Sequence, residues 1–239
     1  MAITVVPIAG TELRLVPGAW PLPAALRRQV PDCWARMVAA RPGIWDGRIY
    51  GFTPPQIDER RVLRAEARED DYSAYLTWRE AGFPEMGWRH IFVTALICSA
   101  DGAIILGVMG RETLNAGRVY PPGGVLEPRD LGPDGMVDAE AAIALELMEE
   151  TGLDASVARP GALLAIFDEP RVCISRALHF DASAAELVQV VRRNIAEQDE
   201  PELADVVACR NVQDGRAAGE LANYAGVLLD QVSSGQMTL

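Results

Sequence analysis

The segment Leu145 to Leu153 reads LELMEETGL, and it places three glutamates at helical spacing. Glu146, Glu149 and Glu150 stand at positions i, i+3 and i+4, which are neighbours on the surface of an α-helix. Like charges at this spacing repel by about 0.2–0.5 kcal/mol per pair. The crowding of three carboxylates therefore predicts a divalent metal ion among them, since hard cations take carboxylate oxygens as ligands.

The residues around this segment predict a helix that follows a glycine loop. Asp138 is a suitable N-cap, and Gly152 stands where a left-handed residue normally ends a helix. Upstream, the stretch YPPGGVLEPRD contains the adjacent Gly123 and Gly124, which permit a tight turn and a close approach of the backbone to a ligand. The side chains expected to bury the other sides of the helix are Ile143, Leu145, Leu147 and Met148.

Composition predicts one main globular domain with an elaboration. The chain has 239 residues, of which 49% are hydrophobic and 23% charged, and it contains no apolar run long enough to span a bilayer. No secretory signal is evident at the start, so we expect a cytoplasmic protein without a membrane partner. The net charge of -12 argues against nucleic acid as a partner.

Two residue types narrow the chemistry. The chain has no lysine, which excludes Schiff-base catalysis and the lysine of a P-loop, and its Ala-, Arg- and Gly-rich composition suggests a GC-rich bacterial genome. The four cysteines form no C-x-x-C pair, so we expect buried thiols rather than disulfides or zinc ligands. They are Cys33, Cys98, Cys173 and Cys209.

The pattern along the chain predicts an N-terminal extension over residues 1–88 that packs on a core domain over residues 89–239. In the extension, GRIYGF and RVLRAEARED alternate as two strands of a hairpin, and DYSAYLTWRE favours a short helix. The core domain reads as apolar strands interspersed with helices, with a last helix over residues 215–232. This order is typical of a mixed α/β fold.

These motifs together resemble the Nudix family. Its signature has a glycine, five residues, a glutamate, seven residues, and then Arg-Glu-apolar-any-Glu-Glu-any-Gly-apolar. LELMEETGL matches the second half and PPGGVLEP resembles the glycine loop, within a likeness that covers about residues 89–210. The resemblance implies an α/β/α sandwich with a mixed sheet.

The chain departs from this pattern in two places. Leu145 stands where the signature has arginine, and the loop after Gly124 is longer by seven residues. The acid six residues after Gly124 is Asp130 rather than glutamate, which leaves its role open. In the family the arginine helps to orient the glutamates, so either another arginine replaces it in space or the metal geometry differs.

The resemblance implies hydrolysis of a diphosphate in a small nucleoside diphosphate-linked compound, with Mg²⁺ or Mn²⁺ as cofactor. Glu146, Glu149 and Glu150 become the catalytic and metal-binding residues, and the Gly124 carbonyl a further ligand. A UDP-sugar is the favoured substrate, because RPGIWDGRIY and GGVLEPRD resemble the UDP-sugar diphosphatase branch. Residues expected to bind substrate are Arg89, Arg111, Arg118, Tyr120, Gly123 and Glu127.

Other interpretations stay open for several residues and for the function. Each arginine also fits an ordinary surface role, Glu127 fits a loop ligand or a surface acid, and His90 and His179 fit buried strand histidines. Glu197, Glu200 and Glu202 of AEQDEPEL lie in a polar loop where some members of the family supply an extra acid, but a solvated charge run is the favoured interpretation. A Nudix-like binding or regulatory module with weak or no catalysis is the alternative function, and a homodimer is compatible with the resemblance.

Overall fold

Two β-sheets and seven α-helices form the part of the chain that the computed structural model describes, residues 2–41 and 43–239. The strands are β1 (Thr4–Ile8), β2 (Gly10–Leu15), β3 (Arg48–Phe52), β4 (Gln56–Ile57), β5 (Val62–Asp71), β6 (His90–Cys98), β7 (Ile104–Met109), β8 (Arg118–Tyr120), β9 (Met136–Val137), β10 (Arg159–Asp168), β11 (Arg171–His179), β12 (Leu203–Cys209) and β13 (Glu220–Leu221). The helices are α1 (Ala24–Arg27), α2 (Val30–Ala40), α3 (Tyr72–Glu80), α4 (Ala139–Thr151), α5 (Ala184–Glu197), α6 (Val212–Ala218) and α7 (Asn223–Ser233).

The main sheet is mixed. Its strand order is β1-β10-β11-β6-β7-β8-β13, and β12 pairs with β7 beside this path. The β11–β6 and β13–β8 pairs are parallel, whereas the other pairs of this sheet are antiparallel. Strands β6 and β11 are buried along most of their length, as expected for the centre of a covered sheet.

Helices cover both faces of the main sheet. On one face, α4 and α5 contribute Ile143, Leu147 and Leu187 to a core that includes Val93 and Ile174. On the other face, α7 buries its apolar side chains against Leu96 and Leu106 of a second core. The expected α/β sandwich with a mixed sheet is confirmed.

The second sheet has the order β3-β5-β2-β9, with β4 paired to β5. Strands β3 and β5 are antiparallel, so the hairpin expected in the N-terminal extension is confirmed. The extension is nevertheless interlaced with the core domain across residue 88, because β1 pairs with β10 of the main sheet and β9 pairs with β2. The division into two domains at this residue stays a prediction.

Helix α4 begins and ends at the expected residues. The Asp138 carboxylate accepts the backbone N–H groups of Glu140 and Ala141, and Gly152 has a φ of 70°. The expected burial of Leu145 and Met148 is wrong, because these side chains are 37% and 44% exposed. Ile143 and Leu147 alone of the four face the core.

The single helix expected over residues 215–232 is also wrong. Helix α6 ends at Ala218, and β13 pairs with β8 before α7 begins at Asn223. This sheet pairing is a long-range contact that overrides local helix propensity. A Cβ atom at Gly219 would lie 2.6 Å from the carbonyl oxygen of Gly117, so the turn into β13 requires glycine.

The structure also bears on the state of the cysteines and on membrane-spanning helices. All four cysteines are buried and none forms a disulfide, as expected from their spacing. Among residues 2–41 and 43–239, no helix is both long and apolar enough to cross a membrane.

Candidate active site

The glycine loop lies against β6 and under helix α4. The N–H groups of Val93 and Ala95 donate to the carbonyl oxygens of Gly124 and Pro122, at 3.0 and 2.8 Å. A Cβ atom at Gly123 would collide with the Val93 carbonyl oxygen. One at Gly124 would lie 2.5 Å from the Glu146 carboxylate. Both glycines are therefore required by close approach, and Gly124 leaves the space that Glu146 occupies.

Glu150 is the most deeply buried acid of the helix. Its Oε2 atom accepts the N–H of Gly123 at 2.8 Å, while Oε1 is buried without a hydrogen-bond partner among the described residues. Burial raises the pKa of this carboxyl well above its ordinary value, and the charges of Glu202 and Glu146 raise it further. Burying an acceptor without a donor costs free energy, which a bound cation or a proton on this carboxylate would offset.

Glu146 and Glu149 differ in exposure although they lie on one face of α4. The Glu146 side chain is 14% exposed, and burial raises its pKa to about 7. The Glu149 side chain is 47% exposed. The structure thus brings all three predicted acids together, with two of them in a desolvated position.

Arg129 joins the acids of the loop and the helix. Its guanidinium donates to Glu146 at 2.9 Å and to Glu149 at 2.8 Å, and it forms an ion pair with Glu127. This residue lies in the lengthened loop and had no assigned role in the sequence analysis. Its guanidinium therefore lies beside Glu146 and Glu149, although Leu145 stands where the motif has arginine.

Asp130 closes the loop that carries Arg129. Its carboxylate accepts the N–H of Glu127 at 2.8 Å, and its carbonyl oxygen accepts the N–H of Asp138 at 2.8 Å. Burial raises the pKa of Asp130. The acid at this position of the motif therefore has a structural role, as it ties the loop to the start of α4.

Glu202 lies near the acids of α4, although a solvated charge run is the interpretation that its sequence surroundings favour. Its charge is the largest electrostatic contribution to the raised pKa of Glu150, after burial. The N–H of Gly110 donates to the Glu202 carbonyl oxygen at 2.7 Å, which fixes this loop beside the end of β7. The interpretation of AEQDEPEL as a solvated run is therefore incomplete, because one of its acids lies within electrostatic reach of the cluster.

The donor chemistry of these residues suits a hard divalent cation. In the described arrangement, however, no three Asp, Glu, His or Cys side chains converge closely enough to hold a metal ion. Three of the acids, Glu127, Glu146 and Glu149, instead form ion pairs with the Arg129 guanidinium. The unpaired Oε1 of Glu150 and the excess of acids over guanidinium groups fit a second cation.

The residues expected to bind substrate have different surroundings. Arg89 pairs with Glu85 and Glu169 and its side chain is 14% exposed, so its charge is already compensated. Arg118 pairs with Glu220 at 3.4 Å. Arg111 is exposed and forms no ion pair within the described residues. Of the three arginines, Arg111 is the most available to an anionic ligand.

Tyr120 lies beside the acid cluster. Its hydroxyl accepts the side-chain N–H of Asn115 at 3.1 Å, and burial raises its pKa, with a further contribution from the charge of Glu150. His90 is buried between Tyr75 and Phe92, with ring centroids 4.1 and 5.8 Å away, and burial lowers its pKa to about 3. His90 is therefore a neutral core residue.

Two surface grooves lie elsewhere in the described part of the chain. One is bordered by α6 and α7, and another runs between α5 and β12. Neither includes an acid of the cluster. The candidate site is thus defined by its chemistry rather than by the depth of a cavity.

No protein-family model and no curated protein matches the chain. Among solved structures, the chain is similar to a MutT protein from Methanosarcina mazei Go1, with 18% identity, a TM-score of 0.39, and coverage of 63% of this chain and 96% of that one. It is similar to DR0079 from Deinococcus radiodurans, with 12% identity, a TM-score of 0.43, and coverage of 62% and 92%. It is also similar to a Nudix hydrolase from M. smegmatis, RenU, with 14% identity, a TM-score of 0.36, and coverage of 63% and 88%. At these scores the similarities carry no functional argument.

Proposed function

We propose that the protein is a Nudix-type hydrolase that uses Mg²⁺ or Mn²⁺ to cleave the diphosphate of a nucleoside diphosphate-linked compound. The observation that carries this proposal is the buried, unpaired Oε1 of Glu150, which lies beside Glu146 and is supported by the glycine loop. The motif match and this geometry point to the same residues. Buried carboxylates with raised pKa values are typical of functional sites.

Charge balance supports a cation at this site. Glu127, Glu146, Glu149, Glu150 and Glu202 form the acid cluster, and Arg129 is the one guanidinium bonded to it within the described residues. One positive charge does not compensate five carboxylates. Because Glu146 and Glu150 are largely buried, a bound proton or a further cation would offset their desolvation near neutral pH, and a substrate diphosphate brings still more negative charge.

In this proposal Glu146, Glu149 and Glu150 would hold the metal, with Glu202 and the Gly124 carbonyl as proposed further ligands. The Gly124 carbonyl also accepts the N–H of Val93. A bound ion would withdraw charge from the phosphoryl oxygens and lower the pKa of water at the site. Gly123 orients Glu150 through its N–H group. Gly124 leaves room for the Glu146 carboxylate next to the loop.

A nucleotide sugar such as a UDP-sugar is the proposed substrate. The support is the likeness of RPGIWDGRIY and GGVLEPRD to the branch that cleaves such compounds. Arg111, unpaired among the described residues, is the proposed contact to the diphosphate, and Tyr120 is the proposed contact beside it. A planar guanidinium suits two phosphate oxygens at once.

A substrate panel tests this proposal. Nucleotide sugars, nucleoside triphosphates, dinucleoside polyphosphates and coenzyme A are incubated with Mg²⁺ or Mn²⁺, and monophosphate products are quantified for the wild type, Glu150→Gln and Glu59→Gln. Glu59 is an exposed acid outside the cluster and is the matched control. We expect metal-dependent cleavage that is lost in Glu150→Gln only. No turnover of any compound, or equal turnover in Glu150→Gln, contradicts the proposal.

The second candidate function is a Nudix-like nucleotide-binding or regulatory module with weak or no catalysis. Two observations favour it: Leu145 replaces the arginine of the motif, and Arg129 occupies the acid cluster. Calorimetric titration with the panel compounds separates the two candidates. Tight nucleotide binding without product release identifies the module.

A further inference from the structure

Arg129 is bonded to the acids from two sides of the candidate site. Glu146 and Glu149 come from helix α4, whereas Glu127 comes from the loop that carries Arg129 itself. All three acids direct their Oε1 atoms at one guanidinium. This planar group therefore lies among the same oxygens that a divalent cation would need.

The backbone that holds Arg129 is firmly placed. Residues Pro128–Asp130 form a short 3-10 helix, in which the N–H of Glu127 donates to the Asp130 carboxylate at 2.8 Å and the N–H of Asp130 donates to the Glu127 carbonyl oxygen at 2.9 Å. Leu126 is completely buried, and its carbonyl oxygen accepts the N–H of Tyr50 at 2.9 Å. The side chain of Arg129, in contrast, is 41% exposed. The guanidinium can therefore leave the acids by a change of rotamer without movement of the loop.

We infer that Arg129 is an internal counter-ion of the cation site, and that a divalent ion must displace it from Glu146 and Glu149 in order to bind. This inference rests on the proposed function. It explains why the acids converge on a guanidinium and, within the described residues, on no metal position. The buried Oε1 of Glu150, which Arg129 does not reach, is the free oxygen from which the exchange begins.

Arg129 and a divalent ion would compete for the same carboxylates, so removal of Arg129 should raise the affinity for the ion. Arginine cannot lose its charge near neutral pH, so it leaves the acids only by moving away from them. Removal of the guanidinium spares an incoming cation the cost of breaking its two charge-assisted hydrogen bonds to Glu146 and Glu149. If Arg129 instead oriented the acids for the metal, its removal would scatter the ligands and lower the affinity for the divalent ion.

The test measures the affinity for Mn²⁺ alone by electron paramagnetic resonance in the wild type, Arg129→Gln and Arg129→Lys. Arg64→Gln is the matched control, since Arg64 also bridges two acids, Glu12 and Asp58, and is 43% exposed. We expect Arg129→Gln to bind Mn²⁺ at least about 10-fold more tightly than the wild type, which corresponds to about 1.4 kcal/mol. Arg129→Lys is expected between them and Arg64→Gln at the wild-type value. Urea unfolding in EDTA verifies that each variant is folded.

The outcomes separate this inference from the proposed function. Weaker or unchanged Mn²⁺ binding in a folded Arg129→Gln overturns the displacement of Arg129, and metal-dependent hydrolysis by the wild type would still support the enzyme. Absence of Mn²⁺ binding in both the wild type and Arg129→Gln overturns the inference and the metal-dependent function together. Tighter binding by Arg129→Gln without any hydrolysis supports the inference and favours the binding module.

Discussion

Substitution of Glu146 by glutamine is expected to stabilise the metal-free protein at alkaline pH. An ordinary glutamate has a pKa of 4.5, whereas burial raises the pKa of Glu146 to about 7 despite the neighbouring Arg129. The folded protein therefore keeps a proton up to about pH 7 that the unfolded chain releases near pH 4.5. At about 1.4 kcal/mol per pH unit, the free energy of unfolding falls by about 3 kcal/mol across this range.

The sign of this effect follows from proton binding. The folded state binds more protons than the unfolded state between pH 4.5 and 7, so stability decreases as pH rises. Glu146→Gln lacks the titrating group and keeps an oxygen that can accept from Arg129. At pH 8 the variant should therefore be more stable than the wild type by about 2–3 kcal/mol, with most of the gain lost at pH 5.

Urea unfolding in EDTA at pH 5 and pH 8 measures this difference, with the exposed Glu59→Gln as the control. The control should follow the wild-type pH dependence. A Glu146→Gln variant that is no more stable than the wild type at pH 8 would refute the reasoning. It would mean that the ion pair with Arg129 outweighs the burial of the carboxylate.

Three further changes have expected outcomes. Gly124→Ala places a methyl group 2.5 Å from the Glu146 carboxylate. Mn²⁺ titration should show binding weakened about 10-fold, and urea unfolding should show the free energy of unfolding lowered by about 1–3 kcal/mol. Wild-type values in both assays would exclude the close contact. Asp138→Ala removes the N-cap of α4 and should lower the free energy of unfolding by about 1 kcal/mol in the same assay, and no loss would show that the cap is dispensable. Leu145→Arg restores the arginine of the motif at an exposed position and should change that free energy by less than about 0.5 kcal/mol, whereas a larger loss would indicate that Leu145 packs against another surface.

The sequence predicted the acid helix and its glycine loop because their signals are local. The N-cap Asp138, the left-handed Gly152 and the spacing of the three glutamates all lie within fifteen residues. The helix face and its termini follow directly from such signals. The mixed α/β character was predictable for the same reason, since apolar strands and capped helices alternate along the chain.

The residues that the sequence did not reveal are placed by long-range contacts. Glu202 reaches the cluster because β12 pairs with β7, and Arg129 because its loop folds back over α4. Strand β1 joins the main sheet through β10, more than 150 residues later in the chain. Local periodicity carries no information about these pairings, and the exposed arginine of a loop has no signal that distinguishes it from other surface arginines.

The proposed function depends most directly on a cation held by Glu150 and its neighbours. Electron paramagnetic resonance of Mn²⁺ bound to the wild type and to Glu150→Gln tests this claim without reference to any substrate. We expect saturable Mn²⁺ binding by the wild type and a loss of affinity of about 10-fold or more in Glu150→Gln. Equal affinity of the two proteins, or no binding by the wild type, would contradict it.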